Sequence, residues 1–101
     1  MLFGVFATHS PESCPMNNKA SREMFMQIQD KIEANLSGFK VSKILGFYMS
    51  VLEHEWIIIL DADNSHDIEK LCIEVGISSV STVKIVPINM YSDAIKRMKS
   101  L

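Results

Sequence analysis

Cysteine is scarce in this sequence: Cys14 and Cys72 are the only two among 101 residues. Cys14 lies between two prolines, whereas Cys72 lies in an amphipathic segment. Two cysteines in such different settings are not expected to form a disulfide framework, so both thiols are expected to be reduced. The length predicts one domain, residues 1–101, with a small core.

The sequence also lacks a strong net charge and a long apolar run. The formal net charge is −2 with both signs interspersed, so no basic surface suggests nucleic-acid binding. No apolar run approaches the roughly 18 residues of a membrane helix. The first residues, "MLFGVFATHS", lack the basic region of a signal peptide. We therefore expect a soluble cytoplasmic protein without nucleic-acid or membrane partners.

Three segments have the apolar spacing of amphipathic helices. The first has Asn17 or Asn18 as its predicted N-cap and Gly38 beyond its end, and the second runs from a cap within 63–65 to Gly76. A short third helix is predicted after Ser92. The apolar positions are Ala20, Met24, Ile28, Ile32 and Leu36 in the first, Ile68, Leu71, Cys72 and Val75 in the second, and Ala94, Ile95, Met98 and Leu101 in the third.

Four segments have the composition of β-strands. They are residues 2–8, 40–52, 55–62 and 78–91, and the short polar break between the second and third predicts a hairpin. Together with the helices, the order is β-α-β-β-α-β followed by a terminal helix. This order is typical of the ferredoxin-like α+β fold, a four-stranded antiparallel sheet with both long helices on one face.

The central strands are apolar on both faces. In residues 2–8, for example, Phe3 and Val5 alternate with Leu2 and Phe6. An exposed apolar sheet face favours association, so we expect a second copy to cover it in a homodimer or higher homo-oligomer. The alternative is a monomer in which the C-terminal segment partly covers that face.

The βαββαβ order within about 100 residues, with two apolar sheet faces, resembles the dimeric α/β-barrel superfamily. This group includes antibiotic-biosynthesis-type monooxygenases, muconolactone-isomerase-like proteins and stress-responsive barrels. The resemblance covers the whole chain and implies a homodimer with a small-molecule pocket between sheet and helices. It rests on the pattern of elements and assigns no role to any residue.

The segment "THSPESCPMNN", residues 8–18, concentrates reactive side chains after the first strand. The first and third strands are predicted to be adjacent and parallel, so their C-terminal ends should meet at one edge of the sheet. His9 and Cys14 should then lie near Asp61, Asp63 and His66. His54, which follows the second strand, should lie at the opposite edge as a solvated turn residue.

This cluster allows several kinds of chemistry. His9, Cys14, Asp63 and His66 could bind copper or zinc, since imidazole, thiolate and carboxylate ligands suit these metals. Alternatively, His9 with Asp61 could act as an acid/base pair in a cofactor-free monooxygenase- or isomerase-like enzyme acting on a small organic molecule. Cys14 could instead be a nucleophile, or the segment could be a proline-stiffened connector. The sequence leaves open whether the protein is an enzyme.

Overall fold

The structure, a computed structural model, describes residues 1–101 as four strands and four helices. Two single 3₁₀ turns occur at Pro11–Ser13 and Ser37–Phe39. None of the helices combines the length and apolar character that crossing a bilayer requires. In chain order the elements are β1 Leu2–Thr8, α1 Lys19–Asn35, β2 Val41–Ser50, β3 Glu55–Ala62, α2 Ser65–Glu74, α3 Ile77–Val80, β4 Thr82–Ile88 and α4 Tyr91–Lys99.

The four strands form one sheet in the order β2-β3-β1-β4, and every neighbouring pair is antiparallel. This confirms the predicted ferredoxin-like α+β fold. The predicted parallel pairing of β1 and β3 is wrong, because Thr8 lies opposite Glu55 and Leu2 lies opposite Asp61. The reason is topological: the crossover through α1 makes β1 parallel to β2, and the hairpin then reverses β3.

The strand direction changes which side chains can meet. Asp61, Asp63 and His66 lie at or beyond the Leu2 end of β1, whereas His54 lies beside the Thr8 end. β1 has seven residues, and at about 3.4 Å per residue its ends are roughly 20 Å apart. The predicted cluster of His9 with Asp61, Asp63 and His66 therefore does not form.

The hydrophobic core lies between one face of the sheet and the helices α1 and α2. Alternation along β1 and β3 directs every second side chain into it. The largest fully buried side chain is that of Trp56. The core includes Phe3, Val5 and Ala7 of β1, Trp56, Ile58 and Leu60 of β3, Ile28 and Ile32 of α1, and Ile68, Leu71 and Cys72 of α2.

Several element boundaries differ from those that the sequence pattern predicts. Gly76 adopts a left-handed conformation, φ 91°, and begins the short helix α3, so β4 starts at Thr82 rather than at residue 78. β2 ends at Ser50, and the N-cap of α4 is Met90 instead of Ser92. Short-range turn geometry decided these positions, and an apolar pattern carries little information about it.

Candidate metal centre

Three polar side chains extend the core face of the sheet at the edge where β1 ends and β3 begins. Ala7 pairs with Trp56 on one side and with Val83 on the other. Because side chains alternate, the next positions on the same face are His9, His54 and Ser81. The backbone N–H of His9 donates to the carbonyl of His54 at 2.9 Å, which joins the end of β1 to the β2–β3 hairpin.

Cys14 reaches this edge through a tightly folded loop. Ser10 caps the 3₁₀ turn by accepting from the backbone N–H of Ser13 at 3.2 Å, and the N–H of Cys14 donates to the carbonyl of Pro11. The Cys14 carbonyl accepts from the N–H groups of Asn17 at 2.9 Å and Asn18 at 2.8 Å. These bonds pair both the N–H and the C=O group of Cys14, and they thereby fix the direction of its side chain.

The start of α1 anchors the same loop. The side chain of Asn18 caps the helix by accepting from the N–H of Ser21, and its amide donates to the carbonyl of Glu12. The Arg22 guanidinium donates to the carbonyls of Pro15 at 3.0 Å and Met16 at 3.3 Å. Hydrogen bonds from one charged guanidinium to two backbone carbonyls strongly constrain a short loop. The loop is therefore held by the helix that follows it.

His54 occupies an unusual backbone conformation at the end of the hairpin. Its φ is 53°, in the left-handed region that histidine adopts more readily than most residues do. Trp56, two residues later, faces the core, and the imidazole of His54 lies on the same side with its ring centroid 5.7 Å from that of His9. The turn thus presents His54 to His9 across the two strands.

The three side chains supply a compact set of ligand atoms. One imidazole nitrogen each from His9 and His54 and the Cys14 sulfur all lie within 4.8 Å of one another. Cys14 is 1% exposed and His9 6% exposed. Tetrahedral zinc with bond lengths of about 2.0–2.3 Å holds its ligand atoms roughly 3.3–3.8 Å apart. A side-chain movement of about 1 Å would bring the set to that spacing.

Polar atoms at this edge lack protein partners. Five buried side-chain nitrogen or oxygen atoms in the protein accept or donate no hydrogen bond: both ring nitrogens of His9, Nδ1 of His54, Nε1 of Trp56 and Oγ of Ser81. All of them lie at the His9 edge of the sheet, on its core face. Each such group costs about 1–3 kcal/mol when it has no partner. The residues therefore fit a site that binds something polar.

The electrostatics of His9 favour its neutral form. Desolvation by burial, followed by repulsion from a charged His54, lowers the pKa of His9 below its ordinary value of 6.5. Neutral imidazole is the form that coordinates a metal ion. A neutral, buried and unpartnered His9 is consequently prepared for metal ligation.

The other sequence-predicted site residues serve different purposes. The carboxylate of Asp61 pairs with the N-terminal ammonium of Met1 at 2.9 Å, so the predicted acid/base pair of His9 with Asp61 is not formed. Asp63 is exposed ahead of the α2 cap Asn64. The side chain of His66 is 82% exposed and lies 3.9 Å from Glu69. Of the four predicted metal ligands, the structure brings only His9 and Cys14 together.

His54 is the candidate ligand that the sequence interpretation missed. The available signal was its position immediately before β3, combined with the antiparallel pairing that a βαββαβ order requires. Cys72, the second free cysteine, is a core residue of α2. Burial, and then the negative charge of Glu69, raises its thiol pKa to about 11, so this thiol stays protonated and unreactive near neutrality.

Comparison with known proteins supports the fold and identifies no site residue. No family model and no curated protein matches the sequence. Ten chains of solved structures match. One is Rv0793 from Mycobacterium tuberculosis, with a TM-score of 0.50 and 10% identity over 90% of this chain and 99% of that chain. At this identity the likeness shows a shared fold: a four-stranded antiparallel sheet with helices.

Proposed function

We propose that this protein binds one zinc or copper ion per chain through His9, Cys14 and His54, and that it does so as a homodimer. The observation that carries the metal proposal is the convergence of the two imidazoles and the thiol within 4.8 Å. Two histidines and one cysteine suit both metals: zinc accepts mixed nitrogen and sulfur ligands, and copper forms trigonal His₂Cys sites. Met16, which could have served as an axial copper ligand, is 62% exposed.

The test is the metal content of protein purified without chelator, together with matched variants. We expect about one equivalent of zinc or copper per chain. Cys14→Ser and His54→Asn should each weaken binding at least about tenfold, because even outer-shell partners of a metal site are worth that much. Asparagine is chosen because it tolerates the left-handed backbone of residue 54.

Two matched controls use the same substitutions elsewhere. Cys72→Ser changes the other buried cysteine, and His66→Asn changes an exposed histidine. Both should keep the metal content of the wild type. Folding of every variant is checked by circular dichroism. Folded wild-type protein without metal that also takes up none on addition of zinc or copper would overturn the proposal.

The support for a homodimer is the sheet face opposite the helices. We call it the open face: the outward side of the sheet, with half-buried apolar side chains in β1, β3 and β4 and exposed Tyr48 in β2. Neither α1 nor α2 covers it, since both pack on the other face. Its apolar members are Leu2, Phe6, Ile57, Ile59, Val86, Ile88 and Tyr48.

Two glycines make the open face flat. Gly4 of β1 and Gly46 of β2 lie on either side of Ile59 of β3, each directly opposite it. A Cβ at Gly4 would lie 2.9 Å from the ring of Phe6, and a Cβ at Gly46 would lie 2.7 Å from the ring of Tyr48. Each aromatic ring therefore lies over a glycine of its own strand. A flat apolar surface is well suited to packing against another sheet.

Charge complementarity favours a second copy as the partner. Lys84 and Glu55 lie on opposite sides of β1, near the same end of the open face. A second copy rotated about a two-fold axis parallel to β1 can place the lysine of each copy against the glutamate of the other. The same rotation buries the apolar centre of the face, which removes a large exposed apolar patch.

A further inference from the structure

The ligand set leaves a divalent metal ion with an uncompensated charge. This inference rests on the proposed metal site. Two neutral imidazoles and one thiolate neutralise one of the two positive charges of Zn²⁺ or Cu²⁺. No aspartate or glutamate belongs to the cluster. The nearest acidic residue along β3, Glu55, lies on the open face, where its carboxylate accepts from the hydroxyl of Thr8 at 3.1 Å.

A buried positive charge is costly unless an anion accompanies it. The three protein ligands also leave one tetrahedral position free, as in zinc sites that bind water or substrate. Because the site is buried at the end of the sheet, bulk solvent screens this charge poorly. The charge and the coordination number thus both call for one small negative ligand.

Two of the remaining unpaired groups, the hydroxyl of Ser81 and the indole N–H of Trp56, can donate hydrogen bonds to such a ligand. The second ring nitrogen of His9 points away from a metal bound through the first, so it is not one of these donors. Ser81 immediately precedes β4 and lies on the same face as Val83; extending the Thr8–Thr82 pairing by one residue places it beside His9. The indole of Trp56, whose N–H is also unpaired, has its ring centroid 5.9 Å from that of His9.

We infer that the bound metal ion takes a small monoanion as its fourth ligand, held by the hydroxyl of Ser81 and the indole N–H of Trp56. The chemical class is that of hydroxide, a small carboxylate or azide. Binding forms one metal–anion bond and displaces any water at that position. The site is then neutral as a whole, and the Ser81 hydroxyl and the Trp56 N–H have a partner.

The test uses Co²⁺ as a spectroscopic substitute for zinc and azide as the probe. Cobalt content is measured first, and chloride-free buffer removes a competing monoanion. We expect azide to change the visible cobalt spectrum saturably, with one azide per metal. Ser81→Ala should retain cobalt but bind azide about tenfold more weakly, since it loses one hydrogen bond to a charged ligand. Ser78→Ala, at an exposed serine of α3, is the matched control and should behave as the wild type.

Each result separates the two proposals. Protein that retains no cobalt overturns the metal site and, with it, the anion. Protein that retains cobalt stoichiometrically but shows no azide response overturns the anion and leaves the metal site standing. An azide response unchanged in both Ser81→Ala and a folded Trp56→Phe variant overturns the assignment of these two residues as donors to the anion.

Discussion

His9 is 6% exposed and has no protein hydrogen-bond partner for either ring nitrogen. Such an arrangement is expensive in the metal-free protein, because a buried imidazole is neither solvated nor paired. A bound metal ion would supply one partner and so stabilise the folded state, by a free energy that grows with the logarithm of metal concentration over dissociation constant. The residue thus weakens the metal-free fold while it favours binding.

The lowered pKa of His9 predicts how the metal-free protein responds to pH. Below the ordinary value of 6.5, the unfolded chain binds a proton at this residue that the folded state resists. The free energy of unfolding should therefore be highest above pH 6.5 and should decrease as the pH falls from there toward the folded pKa. Urea denaturation of metal-free protein at a series of pH values measures this.

Two variants identify the residue responsible for that pH dependence. A folded His9→Gln variant should show a smaller decrease below pH 6.5, whereas His66→Gln, at an exposed histidine, should leave it unchanged. His54 and Cys14 are the titratable groups nearest His9. An unaltered decrease in the folded His9→Gln variant would contradict the assignment to His9.

At the scale of elements, the start of α1 and the β2–β3 hairpin position the candidate ligands. α1 contributes Arg22, whose guanidinium binds two carbonyls of the Cys14 loop. The hairpin contributes His54, whose carbonyl accepts from the backbone of His9. Neither element supplies a ligand from its regular interior, so the site depends on how these ends are held.

Removing the Arg22 side-chain contacts should weaken metal binding without abolishing it. Arg22→Gln keeps a good helix former and loses the charged bonds to Pro15 and Met16. We expect metal affinity to decrease about tenfold, because the loop must then be ordered at the moment of binding. Competition with a chromophoric chelator measures the affinity.

Arg97→Gln is the control for that measurement, since it is the same substitution at an exposed position in the last turn of α4. It should leave the affinity unchanged. Equal affinities for Arg22→Gln and wild type would show that the loop needs no anchoring by Arg22.

For the whole molecule, the central question is what covers the open face. The monomer is thin, with principal extents of 51 × 32 × 17 Å. α4 has no buried residue, and Tyr91 and Leu101, at its start and just beyond its end, are 82% and 98% exposed. A single copy therefore leaves both the open face and α4 largely without packing partners.

A charge at the centre of the open face should separate the two copies. Wild-type protein is expected to elute at twice its chain mass of 11.4 kDa when light scattering is coupled to gel filtration. Ile59→Glu should elute as a folded monomer, because sheet-to-sheet packing would bury its carboxylate without a partner. Ile73→Glu is the control, because Ile73 lies on α2 and is 61% exposed; this variant should remain dimeric. Wild-type protein at the monomer mass would contradict the proposed assembly.

The sequence by itself determined the four strands, the three longer helices and the fold class. Alternation in residues 2–8 and 55–62 and the four-residue spacing from Ala20 to Ile32 follow from backbone periodicity, which is local. Asn18 and Asn64 are caps in the structure because short side chains of this kind satisfy nearby N–H groups. Two of the three residues of the candidate site, His9 and Cys14, were also evident from the sequence.

The partner of that pair follows from the topology of the whole fold and from no local sequence pattern. Whether His54 or His66 reaches His9 depends on the direction of β3 relative to β1, and no residue in either strand encodes that direction locally. The crossover through α1 and the hairpin after β2 set it together, so β3 begins where β1 ends. Because the pairing is antiparallel, His54 lies beside His9, and Asp61, Asp63 and His66 do not. The candidate site is therefore a His₂Cys cluster instead of the predicted mixed set of ligands.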